Sequence, residues 1–256
     1  MPALTGVGTT VEFSTAQWAA IVAIFAWSGF VRTGIGFGGA ALGHPLLLLV
    51  EDAPLVFLPV IGLHLLVFTS LTAGGRLRNI DWGFVRRSMG WMIIPKVAGV
   101  IGLLSLPTRW MVIFVFSITA AYAVSWIAQH EIRSGSAWFD RLLLVVGGYV
   151  SGASLVGAPL IAAVAIREVE LRRYRDTLFA LWFLLVIIKM TGFLLAGVGL
   201  QVTMGLWLLA PAAVGHVIGL RFHEHMISSN AVRVKRWLGL GLLVVSLAGL
   251  LQTLLQ

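Results

Sequence analysis

The sequence predicts an all-α polytopic membrane protein of two inverted-topology repeats, about 8–10 membrane segments in all, with glycine-broken first hairpins. Three observations predict it: an extreme apolar composition, long continuous apolar runs, and arginines confined to short loops. Of 256 residues, 59% are hydrophobic and 11% charged, and the mean hydropathy is +0.98. A soluble domain carries ~25% charged residues. A β-barrel would alternate in strands of about 10 residues, not run continuously apolar. The chain has no cysteine, which removes disulfides, thiolate metal sites and cysteine nucleophiles. Its net charge of +8 is explained by loop arginines that set orientation, not by nucleic-acid binding. No basic stretch precedes the first apolar run, so the start does not resemble a cleaved signal peptide.

Apolar segments fall at 17–31, 34–50, 54–73, 84–105, 110–128, 141–153, 155–166, 177–198, 203–222 and 236–255. Crossing a ~30 Å core takes about 20 residues. Segments 141–153 and 155–166 are therefore too short to cross alone, and 34–50 is marginal. The loops 74–87, 129–141, 167–176 and 221–236 are basic; the N-terminus, Glu51-Asp52, the turn at Pro107, the turn near Gly199 and the C-terminus are not. With all four basic loops cytoplasmic, residues 141–166 begin and end on one side, as a hairpin of two short helices. The same logic puts the N-terminus and Glu51-Asp52 outside, with the chain inside near Arg32. One transporter domain then spans 1–256, with internal repeats 17–128 and 141–256 entered from opposite sides. A plain 4+4 arrangement of eight spans ranks second, because it leaves one arginine-bearing loop outside.

Residues 29–50, GFVRTGIGFGGAALGHPLLLLV, hold six glycines in an otherwise apolar segment. An echo returns as GGYVSGASLVGAPLIAAV from residue 147. Gly43-His44-Pro45-Leu46 aligns with Gly157-Ala158-Pro159-Leu160, and Pro95-Lys96-Val97-Ala98-Gly99 with Pro211-Ala212-Ala213-Val214-Gly215. Paired broken segments in two halves point to a secondary transporter's substrate site.

Four stretches in order, GIGFGGAALGHPLL, RLRNIDW (76–82), SGASLVGAPL and IIKMTGFLLAGVG (187–199), carry a resemblance to the TauE/SafE family of sulfite exporters. It covers the chain from about residue 17 to the end. The resemblance implies a multi-pass carrier of the bacterial inner membrane that moves sulfite, sulfonates or related organic anions. The second half departs from the family's glycine cluster, keeping Gly152 and Gly157 with Ser151 and Ser154 between.

The residues themselves point to an anion. All ten acidic residues lie in predicted tails, loops or helix ends, whereas Lys96 and Lys189 sit deep in apolar runs. A charge at the bilayer centre costs at least ~2.5–3.5 kcal/mol and is normally paired or functional. Lys96 and Lys189 are therefore candidate substrate residues; snorkelling, or contact with carbonyls freed by Pro95, is the alternative for Lys96. Arg32 fits a topology anchor, with contact to the anion as the alternative. Gly34, Gly36, Gly38 and Gly39, with Pro45 behind them, are expected to supply a helix N-terminus that takes an anion, as are Ser151, Gly152, Ser154 and Gly157. The hydroxyls of Thr33, Ser151 and Ser154 add donors. Close helix packing through small residues is the competing explanation. His44, also a substrate-site candidate, His64 and His216 are candidates for proton coupling, with structural hydrogen bonding as the alternative. No metal-ligand spacing occurs, His223-Glu224-His225 fits a solvated loop, and no cofactor is expected.

The expected partners are a small anionic substrate and the lipid bilayer. A secondary carrier working by alternating access, an exporter as the resemblance implies, is the leading function. An anion channel of the same architecture and an intramembrane enzyme are the alternatives, the latter lacking any G-x-S-x-G motif.

Overall fold

The computed structural model describes residues 4–6, 9–35, 39–129 and 135–255, with side chains for all of these except 4–6, 9–11, 34, 35, 41, 73 and 222–235. Beyond a short N-terminal hairpin, β1 (Leu4–Gly6) with β2 (Thr9–Val11), the described chain is helical. The helices are α1 (Thr15–Ile35), α2 (Gly39–Val50), α3 (Pro54–Ala73), α4 (Trp82–Ser105), α5 (Thr108–Ile127), α6 (Ala137–Ser154), α7 (Ala158–Glu168), α8 (Leu171–Leu195) and α9 (Val202–Leu255). Among the described residues, six stretches are long and apolar enough to cross a membrane: Pro54–Thr72, Trp82–Ser105, Thr108–Ile127, Leu171–Leu195, Val202–Arg221 and Arg236–Leu255. Trp82, Trp110, Trp138 and Trp237, all near predicted segment ends, are exposed, the placement of interfacial anchors.

The basic stretch 221–236, expected as a loop, is helical backbone within α9. It contains neither glycine nor proline, so nothing local stops the helix. α9 is not one straight rod: Ala212 lies against Gly29 of α1, and Leu242 packs in one cluster with Val31 of α1 and Leu42 of α2. The two apolar ends of α9, Val202–Arg221 and Arg236–Leu255, are each long and apolar enough to cross on their own.

The chain divides into two compact units that interleave its halves. One comprises Met1–Leu58, Pro107–Glu131 and Gln201–Gln256; the other comprises Pro59–Leu106 and Ile132–Leu200.

In the first unit, α2 folds back along α1. Ser28 Oγ donates to Gly39 O at 2.9 Å, and Gln17 Nε2 donates to Val50 O at 3.1 Å and to Glu51 Oε2 at 2.9 Å. The twelve residues of α2 cover about 18 Å, roughly half the core thickness, so this arm does not cross. α1 also packs on α9 with backbones in contact: a Cβ at Gly29 would fall on Ala212 O, and one at Gly215 on Ala26 O. α5 runs antiparallel to the far end of α9, with Ala123 beside Gly239 and Phe116 beside Gly249.

The second unit also holds a helical hairpin, α6 with α7. α6 ends at Leu155, whose φ of 62° is left-handed, and α7 restarts at Ala158 with proline in its first turn. α7 then runs back along α6: Ile161 lies against Gly147, Gly157 packs on Ser151, and Arg167 pairs with Asp140. The segment thus begins and ends at one level, as the arginine pattern predicts. α4 crosses α6 with the same intimacy as α1 crosses α9: a Cβ at Gly152 would fall on Lys96 O, and one at Gly99 on Tyr149 O. Both crossings pair positions three apart on each helix, Ala26/Gly29 with Ala212/Gly215 and Tyr149/Gly152 with Lys96/Gly99.

Candidate functional site

The α6–α7 break is where the second unit concentrates its buried polarity. Lys96 belongs to the buried stripe Phe84, Val85, Ser88, Met92, Lys96, Gly99, Val100 and Leu103 of α4, a spacing of three and four that defines one helix face. Lys189 holds the same kind of place on α8, among Leu185, Val186, Met190 and Phe193. Their relative exposures are 0% and 1%, so neither amine reaches solvent within this fold.

Both side-chain amines end on the last turn of α6. Lys96 Nζ donates to Ser151 O and to Ser151 Oγ, each at 2.9 Å. Lys189 Nζ donates to Gly152 O at 2.7 Å and lies 5.5 Å from the Phe193 ring centroid. The cause is geometric. A helix leaves its last four carbonyls without intrahelical partners, and the left-handed turn at Leu155 ends α6 inside the protein. The Leu155 N–H still bonds Ser151 O at 3.2 Å, while Gly152 O takes its described bond from Lys189. Glycine at 99, 148 and 152 brings the α4 backbone onto α6, which puts Lys96 within reach. Neither lysine forms an ion pair among the described residues. A lysine has three N–H donors, so these bonds leave one on Lys96 and two on Lys189.

Ser151, Gly152 and Ser154 therefore form a helix C-terminus, not the expected N-terminus. Serine and glycine suit either end, and the left-handed Leu155 with Pro159 beyond decides which. Ser154 Oγ donates to Val150 O at 3.0 Å and accepts from Val156 N at 3.4 Å, holding the break. Only Gly157 stands at a helix start, as the N-cap of α7.

In the first unit, Gly34 falls in the last turn of α1 and Gly39 opens α2; Gly36 and Gly38 lie outside the described residues. Thr33 and His216 meet. Thr33 Oγ1 donates to Gly29 O at 3.0 Å and makes a short bond with His216 Nδ1. His44 and Pro45 are buried in α2. His64, in the second unit, is buried edge-on to Phe68 with ring centroids 6.2 Å apart. The side chains of His223, Glu224 and His225 lie outside the described residues.

Two devices escaped the sequence reading. Asp140, 3% exposed, closes the base of the α6–α7 hairpin through Arg167; its signal was an acid and an arginine at the two ends of one predicted hairpin. The loop around Asn79 is also tied to α8. Asn79 Nδ2 donates to Arg172 O at 3.1 Å and to Asp176, the Asp81 N–H donates to Thr177 Oγ1 at 3.0 Å, and Arg173 donates to Ile80 O at 2.9 Å. Asp81 also caps α4 by accepting from Phe84 N at 2.9 Å.

Apolar crossings, a helical hairpin broken within apolar sequence, and buried cations bonded to backbone define a polytopic membrane transporter. The chain belongs to the sulfite exporter TauE/SafE family, whose family model matches residues 20–249. It is accordingly a multi-pass inner-membrane transport protein and not an enzyme. No curated protein and no solved structure matches the chain.

Proposed function

We propose that this protein is a secondary carrier that exports a small anion, of the sulfite, sulfonate or related organic class, by alternating access. One observation carries this reading: two fully buried lysine side chains converge on one helix break with no carboxylate paired to them among the described residues. Backbone dipoles stabilise such charges only in part, and an anion completes the site. The three remaining N–H donors are of the kind that bind oxyanions with charge-assisted bonds. Thr33 and His216 are the polar pair proposed for the first unit, with His216 as the histidine best placed for proton coupling. The matched crossings at Gly29/Ala212 and Gly152/Lys96 support the reading of the chain as an inverted repeat.

Export needs no further coupling. With a cytoplasm-negative membrane, each negative charge moved outward gains about 2.3 kcal/mol per 100 mV. The test is counterflow in proteoliposomes with labelled sulfite against internal sulfite, a sulfonate or a small carboxylate. Saturable exchange is expected. Flux that does not saturate and shows no trans-stimulation indicates a channel, and no exchange with any of the three by folded protein sinks the reading.

A further inference from the structure

The last turn of α6 has the makings of a cation site. Ser151 O, Ser151 Oγ and Gly152 O are hard oxygen donors at the negative end of a helix dipole. In broken-helix transporters, freed carbonyls and helix C-terminal ends are what coordinate the coupling sodium or proton. Here those oxygens are taken by ammonium nitrogens at 2.9, 2.9 and 2.7 Å. The chain has three lysines, and two of them are spent on this turn.

We propose that Lys96 and Lys189 are tethered counter-cations, held covalently where a coupling sodium ion would otherwise bind, so that sodium neither occupies this turn nor drives transport. Two arguments favour this over simple capping. Capping a helix end needs donors, and serine, asparagine or glutamine supplies them without moving a full charge into the apolar layer. The matched helix crossing in the other unit has no lysine at that place: Ala212 stands where α4 has Lys96. The charge is therefore not a requirement of the crossing. It stays with the protein through every cycle, unlike a dissociable ion.

The test uses the full-length protein in detergent, with thermal unfolding followed in choline chloride and then in sodium or ethylammonium chloride of equal ionic strength. Wild type is expected to melt at the same temperature in all three. Lys96→Ala and Lys189→Ala are expected to melt lower in choline and to recover saturably with ethylammonium, and partly with sodium, as either cation fills the vacated place. A saturable sodium response in wild type overturns the proposal, as does indifference of both alanine variants to both cations. Should an alanine variant fail to accumulate, Lys189→Gln replaces it. Glutamine keeps a donor and loses the charge, so a variant that matches wild type in choline and ignores both cations overturns the proposal. Sulfite counterflow in sodium and in choline media is the parallel measurement, and this arm alone rests on the carrier reading. Equal rates are expected. Sodium-dependent exchange overturns the proposal, whereas absent exchange beside the expected unfolding response sinks the carrier reading and leaves the tethered cations standing.

Discussion

Lys189 Nζ sits 2.7 Å from the carbonyl oxygen of Gly152, joining the middle of one crossing helix to the broken end of another. A buried charge that answers a helix break links packing to function in one contact. Its removal is the most direct experiment. Lys189→Ala leaves Gly152 O without its described donor, a penalty of about 1–3 kcal/mol, which a bundle of this size tolerates. Membrane insertion and yield should therefore persist while sulfite counterflow falls at least tenfold. Wild-type flux in well-folded Lys189→Ala protein would remove this lysine from the substrate site.

The glycine crossings predict sharply different outcomes for one substitution. A Cβ at Gly152 or Gly215 would meet backbone oxygen of a neighbouring helix, which cannot move aside as a side chain can. Gly152→Ala and Gly215→Ala should each lower stability by about 1–3 kcal/mol or more, the range for overpacking. Gly90, mid-helix in α4, has nothing within 4 Å of a built Cβ. Gly90→Ala should stabilise by about 0.5–1 kcal/mol through helix propensity. Unfolding of the three variants side by side checks the contrast, and equal effects would refute the close crossing.

The base of the α6–α7 hairpin offers a coupling measurement. Asp140 is buried, while the Arg167 side chain is 38% exposed. Solvent screening on the arginine side holds the expected coupling to about 1–2 kcal/mol, between exposed and buried pairs. A double-mutant cycle with Asp140→Asn and Arg167→Gln measures it. Additive effects would mean that α7 does not return to the start of α6.

The loop between α2 and α3 gives a pH dependence with a definite sign. Burial, and then the charge of Glu51, raise the Asp52 carboxyl above its ordinary value of 3.8. A raised acid binds its proton more tightly in the folded state, so its contribution is most favourable at low pH. That contribution is lost as pH rises through the folded-state value. Asp52→Asn should therefore melt slightly above wild type at neutral pH, with the gap closing below the ordinary carboxyl range. A gap that widens on acidification would reverse the assignment.

Much of this protein was legible without coordinates. Long apolar runs and short arginine-bearing loops determine a polytopic helical bundle, because the bilayer core admits neither unpaired backbone nor stray charge. The shortness of 141–153 and 155–166 marked the hairpin, and Arg167 beside Asp140 bears it out. Lys96 and Lys189 stood out because a cation in an apolar run is costly wherever the chain goes.

Other features depended on contacts between distant residues. Ser151, Gly152 and Ser154 suit a helix start as well as a helix end, and the left-handed backbone at Leu155 decided for the end. Leucine has no preference for that conformation, so its own identity gave no sign. Which carbonyls the lysines reach was set by the glycine contacts of α4 with α6, and Thr33 found His216 across 183 positions of sequence. The sequence by itself determined that the chain crosses a membrane, where it breaks, and that positive charge lies within. Only the tertiary structure decided which helix end the charges hold, because side-chain patterning records burial and polarity while partner and direction are settled by packing.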